Sequence, residues 1–111
     1  MKKREQLEIN EMVSKKYDEA IAELLQWQTK NPYIARLRSC KAWVLETHNY
    51  YFLESYNTIV AFIDKRSNIA YDVLRLVYGY TATRAGHIAK FLNDYSMTWL
   101  SDTIRYTWRE V

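Results

Sequence analysis

Residues 3–29 contain no Gly or Pro, and Leu7, Met12, Val13, Tyr17, Ile21, Leu24 and Leu25 recur near helical spacing, most cleanly from Tyr17 onward. That period predicts an amphipathic helix. Ser14 stands before Lys15-Lys16-Tyr17-Asp18-Glu19, a fit for a helix cap with acids in the first turn. One long helix and two shorter ones both satisfy the pattern, and Asn31-Pro32 ends it.

From Ile34 the period changes to alternation. Residues 41–47 set Trp43 and Leu45 against Ala42 and Val44, and residues 50–55 set Tyr51 and Leu53 against Tyr50, Phe52 and Glu54. Thr47-His48-Asn49 between them suits a tight turn, which makes a first hairpin. Residues 57–63 are β-branched or apolar from Thr58 to Ile63, too apolar for a half-exposed edge, and are best placed centrally in a sheet. Asp64-Lys65-Arg66-Ser67-Asn68 supplies turn residues and residues 69–74 return as a further strand. Residues 73–80 fit either a continuing strand or an irregular bridge. Thr81 and Thr83 are cap candidates for a second helix at about 83–93, where Ile88, Phe91 and Leu92 share a face. Residues 102–109 alternate, with Ile104, Tyr106 and Trp108 on one side and Thr103, Arg105, Thr107 and Arg109 on the other.

The predicted architecture is α+β: one N-terminal helix or two, a four- to five-stranded largely antiparallel sheet, a second helix and a closing strand. Helices on one face of the sheet make a two-layer sandwich, with Tyr, Arg and Thr on the open face. At 111 residues one domain is expected, helical over 1–30 and built of sheet plus helix over 34–111.

Composition adds an aromatic excess. There are 10 Tyr, 4 Trp and 3 Phe, most of them after residue 42. Aromatic residues bury large areas and suit strands, so core and cross-strand pairs account for most of them, and a surplus on the surface would mark a binding face. The net charge of +3 permits an acidic or nucleic-acid partner without requiring one. Its distribution is uneven: residues 1–30 carry 6 basic and 6 acidic side chains, residues 31–111 carry 10 and 7.

Several kinds of chemistry lack their residues. Gly79 and Gly86 are the only glycines and neither sits in a phosphate-loop or dinucleotide pattern. His48, His87 and Cys40 are scattered without metal-ligand spacing, so neither a metal nor a cofactor is expected. Glu46, Glu54, Asp64, Asp72, Asp94 and Asp102 are spread singly, which leaves a small hydrolase or nuclease dependent on His48 or His87 meeting a carboxylate in the fold. The single Cys excludes an internal disulfide, and Met1-Lys2-Lys3-Arg4 leads into Glu5-Gln6 rather than an apolar stretch, which predicts a cytoplasmic protein. No apolar run reaches the roughly 18 residues of a membrane span.

The candidate binding surface is basic with interleaved aromatics: Arg36, Arg38 and Lys41 before the first predicted strand, and Arg105, Tyr106, Trp108 and Arg109 on the last. Such a set pairs phosphates and stacks bases, or meets an acidic protein. Ordinary edge-protecting strand charges explain it equally, and unblocked strand edges also leave room for a homodimer.

The segment Ser55-Tyr56-Asn57-Thr58-Ile59-Val60-Ala61, together with Tyr80-Thr81-Ala82-Thr83-Arg84-Ala85-Gly86-His87-Ile88 and the closing Arg105-Tyr106-Thr107-Trp108-Arg109, resembles a family of small proteins from phages, prophages and conjugative elements of Gram-positive Firmicutes. The family brings no established activity and no functional residues to carry over. The resemblance implies a compact accessory protein of a mobile element, one that binds a host or phage protein, blocks a host system such as CRISPR defence, or assists in handling DNA.

Overall fold

The computed structural model describes residues 2–27, the backbone of 33–36, and residues 41–96 and 103–111. A single helix, α1 (Lys3–Trp27), takes up the N-terminal pattern, and Ser14 lies within it. The expected stop at Asn31-Pro32 lies outside the described residues. The strands are β1 (Tyr33–Arg36), β2 (Ala42–Glu46), β3 (Tyr50–Ser55), β4 (Thr58–Asp64), β5 (Ile69–Asp72) and β6 (Ile104–Thr107), with the short helix α2 (Leu74–Val77) and the helix α3 (Ala82–Tyr95) between the last two. All six strands form one sheet in the order β1-β2-β3-β4-β5-β6, antiparallel except for the β5–β6 pair. The fold class and the sheet type agree with the reading of the sequence. The sheet gains one strand over it, the four-residue β1, which is too short to show a period.

The apolar strand placed centrally from its composition is β4: Val60, Ala61, Phe62 and Ile63 are each 1% exposed or less. Alternation then divides the core in two. Val44, Leu53, Ala61, Ile63 and Ala70 point to one face and pack with Ile88 and Phe91 of α3. Phe52, Phe62, Tyr50 and Tyr71 point to the other and pack with Val13, Ala20 and Leu24 of α1. The two long helices therefore cover opposite faces, giving three layers instead of the expected two. The reason is that both faces of β3 and β4 are apolar, and each needs a cover.

Polar residues on the buried face of α1 carry a specific load. Gln6 and Asn10 are 5% and 8% exposed, whereas the apolar Leu7 and Leu25 stand out at 49% and 58%. Gln6 Nε2 donates to Asn10 Oδ1 at 2.7 Å and to the Thr107 carbonyl at 3.0 Å. Asn10 Nδ2 donates to the Arg109 carbonyl at 2.6 Å, and its Oδ1 accepts from the Arg109 amide at 2.9 Å. Those two side chains satisfy backbone groups at the end of the outer strand β6, where a polar group left buried without a partner costs about 1–3 kcal/mol. Asn10→Ala is expected to lower stability by about 2 kcal/mol and to speed hydrogen exchange at the Arg109 amide, while Leu7→Ala changes neither appreciably.

Two local devices shape the end of the sheet at which β3 finishes and β4 begins. Tyr56 and Asn57 form a two-residue hairpin loop with φ of 49° and 67°, the signs that a type I′ turn demands. A register shift beside Leu53 and Glu54 leaves Val60 without a partner on β3, a bulge that bends the strand. The Val60 carbonyl accepts instead from the Val73 amide at 3.0 Å, and Asp72 Oδ1 accepts from the Leu74 amide at 3.1 Å. These bonds turn the chain out of β5 into α2, so the stretch expected to be strand or irregular bridge is a single helical turn. Gly79, at φ +114°, ends it.

Candidate functional site

The two ends of the sheet differ in their electrostatics. At one end lie the β2–β3 and β4–β5 turns, where acids and bases are matched. Asp64, 2% exposed, takes Lys16 Nζ at 3.0 Å and Arg66 Nε at 3.1 Å. Glu23 of α1 accepts from the Thr47 hydroxyl, from the Asn49 amide at 3.1 Å and from Asn49 Nδ2 at 2.6 Å. Lys65 pairs with Glu46 at 2.8 Å. Burial pushes the Asp64 and Glu23 carboxyls up, but the hydrogen bonds from Arg66 and Lys16 to Asp64, and from Thr47 and Asn49 to Glu23, outweigh it and hold both below the ordinary 3.8 and 4.5.

A depressed carboxyl stabilises the fold fully above its unfolded value, and that contribution disappears as pH falls toward the folded one. Urea midpoints are therefore expected to hold down to about pH 5 and to fall steeply below pH 4.5. A midpoint independent of pH across that interval would contradict these bonds.

At the other end β3, β5 and β6 finish and β2 and β4 begin. Here four cations gather: Lys41 ahead of β2, Arg75 on α2, Arg84 in the first turn of α3 and Arg109 after β6. Among the described residues, none of the four shares an ion pair with a carboxylate. Tyrosines stand between them, with Tyr56, Tyr78 and Tyr80 exposed at 45%, 59% and 58%. The Arg84 guanidinium lies 3.8 Å from the Tyr78 ring centre and 5.0 Å from that of Tyr56, and Arg75 lies 4.7 Å from that of Tyr80. Arg84 itself is only 9% exposed, and its Nε has no hydrogen-bond partner. Arg75, Gly79, Tyr80, Arg109 and Glu110 line an open cleft of about 380 Å³.

Backbone bonds hold the cluster together. The Tyr56 amide donates to the Lys41 carbonyl at 3.1 Å, the Gly79 amide to the Leu74 carbonyl at 2.9 Å, and the Thr81 hydroxyl caps α3 by accepting from the Arg84 amide at 3.2 Å. Beneath the tyrosines, Ser55 Oγ and His87 Nδ1 are 2.8 Å apart, and the His87 ring stacks on Tyr56 at 5.8 Å. Burial first, then Lys90 and Arg84, hold the imidazole below its ordinary 6.5, so it is neutral at pH 7. With Ser55 at 0% and His87 at 6% exposure, this pair is sealed from a substrate, and among the described residues no carboxylate bonds to the ring. Its work is to fix α3 against β3. His48 lies exposed in the β2–β3 turn at the opposite end. Cys40 lies outside the described residues, among which no three His, Cys, Asp or Glu side chains converge on a metal position.

The seven surface residues expected from the sequence are dispersed. Lys41 and Arg109 belong to this end, and Arg36, paired in register with Trp43, falls at it by position. Arg38 lies outside the described residues. Arg105 is engaged in an ion pair with the buried Asp72. Tyr106 and Trp108 turn inward, packing on the α1 side of the core, with Tyr106 against Tyr71 at 6.2 Å. The aromatic partners of the exposed cations are instead Tyr56, Tyr78 and Tyr80. A Tyr-x-Tyr step around Gly79, followed by Thr81 and Arg84, was the available signal. Ser55 of β3 and His87 of α3, joined by that bond, lie 32 positions apart along the chain.

Fold and site define an α+β domain with a basic, tyrosine-lined end to its sheet. No protein-family model, curated protein or solved structure matches the chain.

Proposed function

We propose that this chain is a non-enzymatic binding protein whose working surface is the basic, tyrosine-rich end of the sheet. The reading fits the accessory protein of a phage or other mobile element that the resemblance implies, acting in the host cytoplasm on a host or phage complex. Interference with a defence system such as CRISPR is one consequence that such occupancy would have.

Arg84 carries the reading. Holding a guanidinium nine-tenths buried without a counter-ion costs desolvation energy of several kcal/mol, of which the Tyr78 and Tyr56 rings return only part, about 2 kcal/mol. An anionic partner would return it. A residue retained only for stability would be better as an apolar side chain of the same length.

Arg84→Met is therefore expected to leave the thermal midpoint unchanged or raised and to abolish capture of the partner from host lysate. Arg75→Ala with Arg109→Ala is expected to weaken capture as well. Equal capture of the same partner by all variants, or turnover of a substrate by the pure protein, would remove the proposal.

A further inference from the structure

We infer that the partner held at this end of the sheet is a single-stranded nucleic acid, a reading that rests on the assignment of this end as the working surface. Three features distinguish a strand of unpaired nucleotides from an acidic protein segment. The first is the alternation of cation and ring. Arg75 lies against Tyr80, and Arg84 lies between Tyr78 and Tyr56, so these two guanidinium groups are each beside a ring rather than in a bare basic patch. Carboxylates on a protein require only the charges. A nucleotide chain presents a phosphate and a flat base in turn, and matches both.

The second feature is how the rings are supported. A tyrosine that stacks on a base must be held still and still expose a face. Tyr78 and Tyr80 remain 59% and 58% exposed while each packs against an arginine, and Tyr56 is 45% exposed while stacked on the buried His87 ring. Tyr56 also occupies the left-handed backbone region at φ 49°, a costly position for a bulky side chain. Asn or Gly would fill that turn at lower cost. An outward ring is what tyrosine adds there.

The third is scale. The Tyr56 loop joins β3 to β4, and the cleft of Arg75, Tyr80 and Arg109 lies where β5 and β6 end. Those points are separated by two or three strand spacings, roughly 10–15 Å, enough for a few nucleotides laid across the strand ends. Bases must be unpaired to reach the rings, since in a duplex their faces are occupied by their neighbours. Ribose and deoxyribose share this chemistry, so RNA and DNA are separate arms of the test.

The test is fluorescence anisotropy of the intact protein with labelled single-stranded DNA and RNA oligonucleotides of mixed sequence, a duplex of the same DNA sequence, and polyglutamate. Single strands are expected to bind more tightly than the duplex, with affinity falling about tenfold or more between low and moderate salt. Arg75→Ala and Arg109→Ala should each flatten that salt dependence. Tyr78→Ala and Tyr80→Ala should each weaken binding about tenfold and leave the salt dependence in place. Tyr78, Tyr80 and Arg109 are exposed and Arg75 is half-buried, and circular dichroism verifies that each variant folds. Lys15→Ala, on the exposed side of α1, should change nothing.

Absence of salt-dependent binding to either single strand overturns the inference. So does binding of the duplex as tightly as the single strands, or loss of affinity in the arginine variants with none in the tyrosine variants. Polyglutamate binding that depends on the same arginines, with no binding of oligonucleotides, would reject nucleic acid while leaving this end of the sheet as the working surface.

Discussion

Phe62→Ala is expected to cost about 4 kcal/mol, the largest loss from any single truncation on the α1 side of the sheet. The ring is fully buried on the central strand and touches four others: Tyr71 at 5.0 Å, Tyr50 at 5.8 Å, Phe52 at 6.1 Å and Tyr17 of α1 at 6.5 Å. Its removal forfeits the transfer energy of the ring and leaves a cavity whose walls are themselves rigid aromatics, poorly able to collapse. Against a total stability of about 5–15 kcal/mol for a domain of this kind, the variant is marginal. Urea unfolding should show a much lower midpoint with the slope preserved. Leu25→Ala, on the exposed side of α1, should shift the midpoint little.

Asp64→Ala is expected to cost about 3 kcal/mol. The side chain is 3% exposed and holds Lys16, which is 26% exposed, together with the backbone and side chain of Arg66. Removal leaves Lys16 partly buried beside Tyr50 with only its longer, 3.7 Å pair to the exposed Glu19. Arg66 is 55% exposed and rehydrates freely, which keeps the loss at the lower end of the range for broken buried pairs. Glu46→Ala is the comparison. Its pair with Lys65 is 35% and 24% exposed, and its loss should cost below about 1 kcal/mol. Equal effects from the two substitutions would contradict the distinction between a buried ion pair and a surface one.

Most of the fold could be read from local pattern. The period of 3.6 over α1, the alternation in β2, β3 and β6, the uninterrupted apolar run of β4 and the Thr81 cap of α3 are short-range signals, and each produced its element. Layering depends on long-range packing. Both long helices are amphipathic, and nothing in either states which side of the sheet it covers. The same gap explains Tyr106 and Trp108. Their alternation with Arg105 and Thr107 was visible, but α1 reaches β6 through Gln6 and Asn10, residues that an apolar pattern passes over, so the aromatic side of β6 faces inward.

The site was the least legible part. Lys41 and Arg109 are legible as basic residues beside predicted strands, whereas Tyr56, Tyr78 and Arg84 come from a hairpin turn, the end of a one-turn helix and a helix start. Only the closed sheet brings these together. The Ser55–His87 bond is likewise invisible along the chain. What it contributes is support for the Tyr56 ring rather than reactivity.

An anionic partner is expected to bind at one end of the sheet. Titration of inorganic polyphosphate into the isotopically labelled protein, followed by amide chemical shifts, tests that most directly. The largest changes are expected at Lys41, Tyr56, Arg75, Tyr80, Arg84 and Arg109, with the amides of residues 64–66 unmoved. Changes centred on Lys16, Lys65 and Arg66, or spread along the exposed lysines of α1, would contradict it.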